Sequence, residues 1–83
     1  MAQKKTGSRR LSIRVRLRVR EIAEQKGRSK TWLSHHAELQ YDTVRGIFSN
    51  PERDVSIVTL EKIARALRVP VSDLYEVLPD EEE

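Results

Sequence analysis

Residues 40–45, Gln-Tyr-Asp-Thr-Val-Arg, carry, at every position but Val44, side chains whose ends can hydrogen-bond the edges of nucleobases. In a major groove about 12 Å wide, an arginine matches the two acceptors of guanine and a glutamine matches adenine. A carboxylate accepts from the cytosine amino group, and a threonine or tyrosine can meet a thymine methyl or a phosphate. By this chemistry Arg45 pairs with guanine, Gln40 with adenine and Asp42 with cytosine, with Tyr41 and Thr43 beside them. Asp42 repels phosphate, so it either reads cytosine or rejects other bases. Gly46 leaves space where a larger side chain would block close approach. Taken one at a time, such residues decorate any exposed helix. Their meaning depends on what holds them.

Other chemistries find little support. There is no cysteine, hence no disulfide framework and no thiolate metal site. His35 and His36 are adjacent, so on a helix they point about 100° apart and do not form an i, i+4 metal pair. No Ser/His/Asp arrangement, phosphate-cradling glycine loop or paired carboxylate stands in a plausible pocket. The expectation is a non-enzyme with no metal and no cofactor.

The elements that must position residues 40–45 can be read from periodicity. Val44, Ile47 and Phe48 recur at i, i+3 and i+4, which predicts a helix over residues 41–49 with its polar side outward. Asn50-Pro51 stops it. Upstream, Ser29 is placed to cap a short helix, KTWLSHHA, and the segment ELQ connects the two. Leu33, Ser34, Ala37, Leu39, Val44 and Ile47 sit where two crossed helices need apolar or small side chains, with Leu39 plugging the turn. Trp32 is expected to pack between helices and His36 at an edge. Downstream, Ser56 caps the clearest helix, IVTLEKIARALRV, with Ile57, Leu60, Ile63, Ala64 and Leu67 on one face. VSDLYE supports one or two further turns.

The first ordered segment has two periods. Leu11, Ile13, Val15, Leu17 and Val19 alternate with Ser or Arg, as a strand does, whereas Val15, Val19, Ile22 and Ala23 share a helix side. The reading is a strand at about residues 12–16, then a helix at about 17–26 ended by Gly27 in a left-handed conformation. The strand's partner is the segment YEVLP, with Ile13 and Val15 pairing with Tyr75 and Val77, and Arg14 and Arg16 opposite Glu76. The pairing could lie within one chain or between two. An uninterrupted helix from about residue 12 is the rival.

Charge is polarised along the 83 residues. Residues 1–20 hold eight Lys or Arg and no acid, residues 71–83 hold six acids and no base, and the net charge is +3. A basic arm on a small domain is the footprint of a polyanion binder or a solubilising terminus. The chain divides into a flexible basic arm at 1–11, a folded domain at 12–78 and an acidic tail at 79–83. No apolar run approaches the ~20 residues needed to span a bilayer. A cytoplasmic, nucleoid-associated protein without membrane contact is expected.

Over most of its length the sequence resembles the phage-repressor and Cro-like (XRE) helix-turn-helix family. VREIAEQKGRSKTWLSHHAELQYDTVRGIFSN matches that family's first three helices, and SIVTLEKIARALRVPVSDLY its last two. The resemblance implies an all-α, five-helix lambda-repressor-like domain, with a short two-stranded pairing of the terminal segments as an addition. It also implies base or nearby backbone contacts from Tyr41, Asp42, Thr43 and Arg45, beside Gln40, whose base contact rests on its side-chain chemistry. Phosphate contacts would come from Ser29, Lys30, Thr31, Asn50 and Arg53, joined by Lys4, Lys5, Arg9 and Arg10 of the arm. Lys30 stands where the family usually has glutamine, and Glu38 and Arg68 where it usually has glycine. The implied partner is double-stranded DNA, bound by a homodimer that regulates transcription. An antitoxin-like or adaptor module built to hold a protein partner is the alternative. RNA binding is disfavoured by the scarcity of aromatic residues for base stacking.

Overall fold

The computed structural model describes residues 13–79. Strand β1 (Arg14–Leu17) leads into helix α1 (Val19–Gln25), followed by α2 (Lys30–Ala37), α3 (Tyr41–Ser49) and α4 (Ile57–Leu67). A single 3-10 turn (Val71–Leu74) then feeds strand β2 (Tyr75–Leu78). The fold is mostly helical, with four α-helices. The expected fifth helix is that one 3-10 turn, because Pro70 sits at its N-cap and the chain becomes extended at Tyr75.

β1 and β2 form an antiparallel pair within one chain, with Val15 opposite Val77, Arg16 opposite Glu76 and Leu17 opposite Tyr75. The continuous-helix rival is thereby excluded. The strand runs one residue further than the alternation suggested, and Leu17, not Ile13, faces Tyr75. Two hydrogen bonds explain the boundary: Leu17 N–H donates to the Pro51 carbonyl and Arg18 N–H to that of Leu74, both at 2.6 Å. Backbone so engaged is held out of the helix, which starts at Val19. Only the inner end of the sheet covers the core. Leu17 is buried, whereas Ile13 and Val77 stay 69% and 64% exposed.

The arginine ladder is neutralised internally. Arg16 meets Glu76 across the strands at 2.8 Å, Arg14 reaches Glu52 at 3.4 Å, and Arg18 and Arg20 bond Glu21 and Glu24 on α1 at 3.1 Å. Arg14 turns to Glu52 because its cross-strand neighbour is Leu78.

The core is small. Leu33, Ile47, Ile63, Leu74, Val19 and Val44 are its largest fully buried side chains, contributed by α1 to α4 and the 3-10 turn. Each such burial stabilises by roughly 1.5–3 kcal/mol. On α4 the buried set is Leu60, Ile63, Ala64 and Leu67. Ile57, expected on that face, is 66% exposed because the first turn of the helix lies beyond the core's edge. Ser29 and Ser56 cap α2 and α4, each accepting at 3.0 Å from the N–H three residues on.

Three helices end in the same way. At the ends of α1, α2 and α4 a residue with positive φ turns the chain: Gly27 (69°), Glu38 (57°) and Arg68 (60°). In each case the next residue's N–H reaches back five residues, Arg28 to Ala23, Leu39 to Ser34 and Val69 to Ala64. This is the Schellman arrangement, which glycine fits best. Only the first of the three uses it.

Candidate nucleic-acid interface

The Schellman turn at Glu38 sets the angle between α2 and α3. Leu39 packs against the core beneath the turn, and Ser34 is buried where the helices meet, its hydroxyl donating to the Thr31 carbonyl at 3.0 Å. Val44 and Ile47 then seat α3 at 0% and 1% exposure. Because helical positions three and four apart share a side, burying these two turns Tyr41, Asp42 and Arg45 outward. All three are exposed, as is Gln40 at the N-cap, and Thr43 is half-buried.

Asp42 and Arg45 do not act separately. The Arg45 Nη2 donates to Asp42 Oδ1 at 3.2 Å, an i, i+3 pair on the open side of α3. The carboxylate therefore holds the guanidinium against the first turn and neutralises it until another acceptor competes. The spacing allowed this pair, but residue-by-residue matching to bases overlooked it.

Gly46 is not an open notch. A Cβ built there would collide with the guanidinium of Arg53, which lies across α3 at this point. The missing side chain makes room for an arginine of the following loop, bringing Arg53 next to the exposed face. Asn50 ends α3, and its Oδ1 accepts from the Glu52 N–H at 3.3 Å, shaping the loop that carries Arg53.

Lys30, in the first turn of α2, directs its Nζ toward the ring of Phe48 on α3, 5.9 Å from the centroid. This is a long cation–π contact, at the edge of the useful range. The hydroxyl of Ser29 is engaged as a cap, and Thr31 is exposed. Ser29, Lys30 and Arg45 line one cleft of about 400 Å³ between α1, α2 and α3, together with Arg20, Arg28 and Ser49. Arg28 and Ser49 were not singled out from the sequence. The position of Arg28 directly before the α2 cap was the available signal. Lys4, Lys5, Arg9 and Arg10 lie outside the described residues.

The helical N-termini of α2 and α3 carry partial positive charge at this edge, adding to Lys30, Arg28 and Arg53. Among the described residues no group of three His, Asp or Glu could hold a metal ion. None of the helices described is long and apolar enough to cross a membrane.

The model of the Cro/C1-type HTH DNA-binding domain matches residues 18–80. The chain belongs to this family. The match runs from the start of α1 past β2, so the packed helices and the returning strand all fall within the Cro/C1-type domain. Among solved structures, the chain is similar to the restriction-modification controller protein C.AhdI from Aeromonas hydrophila. The two are 32% identical with a TM-score of 0.62, over 68% of this chain and 83% of that one. No curated protein matches. Membership makes α2 and α3 the helix-turn-helix of this Cro/C1-type domain, with residues 38–40 as the turn.

Proposed function

We propose that this Cro/C1-type protein is a sequence-specific regulator of transcription that lays α3 in the major groove of duplex DNA. The observation that carries the reading is the two-sidedness of α3: Val44 and Ile47 are fully buried while Tyr41, Asp42 and Arg45 are bare. A major groove admits one helix, and its first turns reach the base edges. Gln40, Tyr41, Asp42, Thr43 and Arg45 supply discrimination. On approach, a guanine edge competes with Asp42 for the Arg45 guanidinium, so the pair reads its base as a unit. Ser29, Lys30, Thr31, Asn50 and Arg53 flank the groove and supply salt-dependent phosphate affinity, with Lys4, Lys5, Arg9 and Arg10 adding to it. The likeness to a restriction-modification controller supports a regulatory role.

The protein acts as a homodimer on two half-sites. Ile57 and Val58, 66% and 62% exposed at the start of α4, are apolar surface of the kind a subunit contact removes from water.

Selection of bound duplexes from a random pool at physiological salt tests the proposal, and an inverted repeat in the enriched motif tests the symmetry. Arg45→Ala should relax preference at one position by about 1–3 kcal/mol, while Lys30→Ala should weaken all sequences alike. Equal losses on selected and random duplex for both variants would refute this division of labour.

A further inference from the structure

The cations of the described residues fall into two groups. Arg14, Arg16, Arg18, Arg20 and Arg45 each have a carboxylate within 3.4 Å. Lys26, Arg28, Lys30, Arg53, Lys62, Arg65 and Arg68 have no ion-pair partner among the described residues, although Arg28 and Lys30 each lie over an aromatic ring. Four of these unneutralised cations, Lys26, Arg28, Arg65 and Arg68, line one concave site, at the end of α1, beside α2 and at the end of α4.

The wall of that site is a stack of three planar groups. The Arg28 guanidinium lies 4.3 Å from the centroid of the Trp32 ring. The His36 ring stacks on the same indole at 4.0 Å with 14° between the planes, and its Nδ1 lies 2.9 Å from the Trp32 carbonyl oxygen. Ala66 and Leu67 add apolar surface, and no carboxylate lines the site.

Convergent like charges repel, so their arrangement needs a reason. Basic residues do favour helix C-termini, and α1 and α4 both end here. Each helix end supplies only about half a negative charge, against four formal positive ones. The surplus is positive and faces a volume of about 680 Å³, within the roughly 300–1,000 Å³ typical of small-ligand sites.

We propose that this concavity is a binding site for a phosphate-bearing small molecule with an apolar or aromatic body. The phosphates sit among Lys26, Arg65 and Arg68, and the body lies against the Arg28–Trp32–His36 stack and Leu67. A duplex backbone, the competing occupant, shares the phosphates but has its base faces stacked away and offers no apolar body to set against the Arg28–Trp32–His36 wall. Arg28 lines both this site and the cleft holding Ser29, Lys30 and Arg45, so an occupant would bear on the start of α2. The site stands whether or not α3 reads DNA.

Trp32 is the only tryptophan of the chain, so its emission reports the site directly. Full-length protein is titrated with inorganic tripolyphosphate, and separately with adenosine diphosphate, against sodium chloride of matched ionic strength. The expected result is a saturable change in Trp32 emission that is tighter for adenosine diphosphate and preserved in Arg45→Ala. It should be at least about tenfold weaker in the double variant Lys26→Gln, Arg65→Gln, which loses two charge-assisted contacts. Circular dichroism checks that this variant, altered only at exposed positions, is folded. No saturation beyond the salt control, or an unchanged affinity in the double variant, would overturn the proposal. Stoichiometric displacement of the probe by random-sequence duplex would overturn it too, assigning these cations to the DNA backbone.

Discussion

The three Schellman turns give an internally controlled test of backbone strain. Gly27, Glu38 and Arg68 share one conformation, with φ of 69°, 57° and 60°. A residue with a Cβ pays roughly 1–2 kcal/mol to adopt it. Glycine avoids that cost but loses about 0.5–1 kcal/mol more backbone entropy on folding. The net gain from Glu38→Gly or Arg68→Gly is therefore about 0.5–1 kcal/mol each. Neither side chain has an ion-pair partner among the described residues, so little else is removed. Gly27→Ala should show the reverse, a loss of about 0.5–1 kcal/mol. A Cβ at Gly27 meets nothing within 4 Å, so the loss would be conformational and not steric. For a domain of this size 1 kcal/mol moves the midpoint by about 4–8 °C. Thermal unfolding followed by helical circular dichroism should place the Glu38→Gly and Arg68→Gly midpoints above the parent and that of Gly27→Ala below it. Urea titrations should show these shifts with unchanged slopes. Destabilisation by both glycine variants, or indifference to Gly27→Ala, would refute the reasoning.

Leu33→Ala empties a completely buried position between α2 and its neighbours and should cost about 2–5 kcal/mol. In a chain with so small a core, urea titration should find it largely unfolded or close to its midpoint in buffer. Hydrogen bonds from Arg18, and then its charge, hold the Glu21 carboxyl below the ordinary carboxylate value. Its contribution to stability is thus complete above that value and fades as pH falls through the depressed one. Glu21→Gln should flatten the acid limb of a stability–pH curve and leave the alkaline limb unchanged.

Much of this architecture was legible because it rests on local rules. Ser29 and Ser56 announce the starts of α2 and α4, and Val44 with Ile47 fixes which side of α3 is outward. Glu38 and Arg68 could be recognised as strained by comparison with a family that uses glycine there. The alternation around Val15 pointed to a strand partnered by the segment at Tyr75 and Val77, but not to the register that sets Leu17 opposite Tyr75, nor to the boundary at Leu17, which depends on the carbonyls of Pro51 and Leu74 from distant segments. The candidate site was less legible. A vacancy at Gly46 is visible in the sequence, but its occupant, Arg53, is chosen by the path of the following loop. Asp42–Arg45 was available as a spacing, whereas its role in restraining the guanidinium depends on which rotamers the helix permits. The Arg28–Trp32–His36 stack and its ring of unpaired cations require α1 and α4 to end at the same place, which only the packing decides.

The antiparallel register sets Arg14 beside Leu78, some five ångströms apart as paired strand residues are. Beginning and end of the folded unit therefore leave its surface side by side. A short peptide joining them would make a cyclic molecule with almost no distortion, and the natural turns then become candidate openings for circular permutants. Such rearranged chains would also reveal whether the helices assemble before the two strands meet, since zipping them must otherwise wait until some sixty intervening residues have been gathered in.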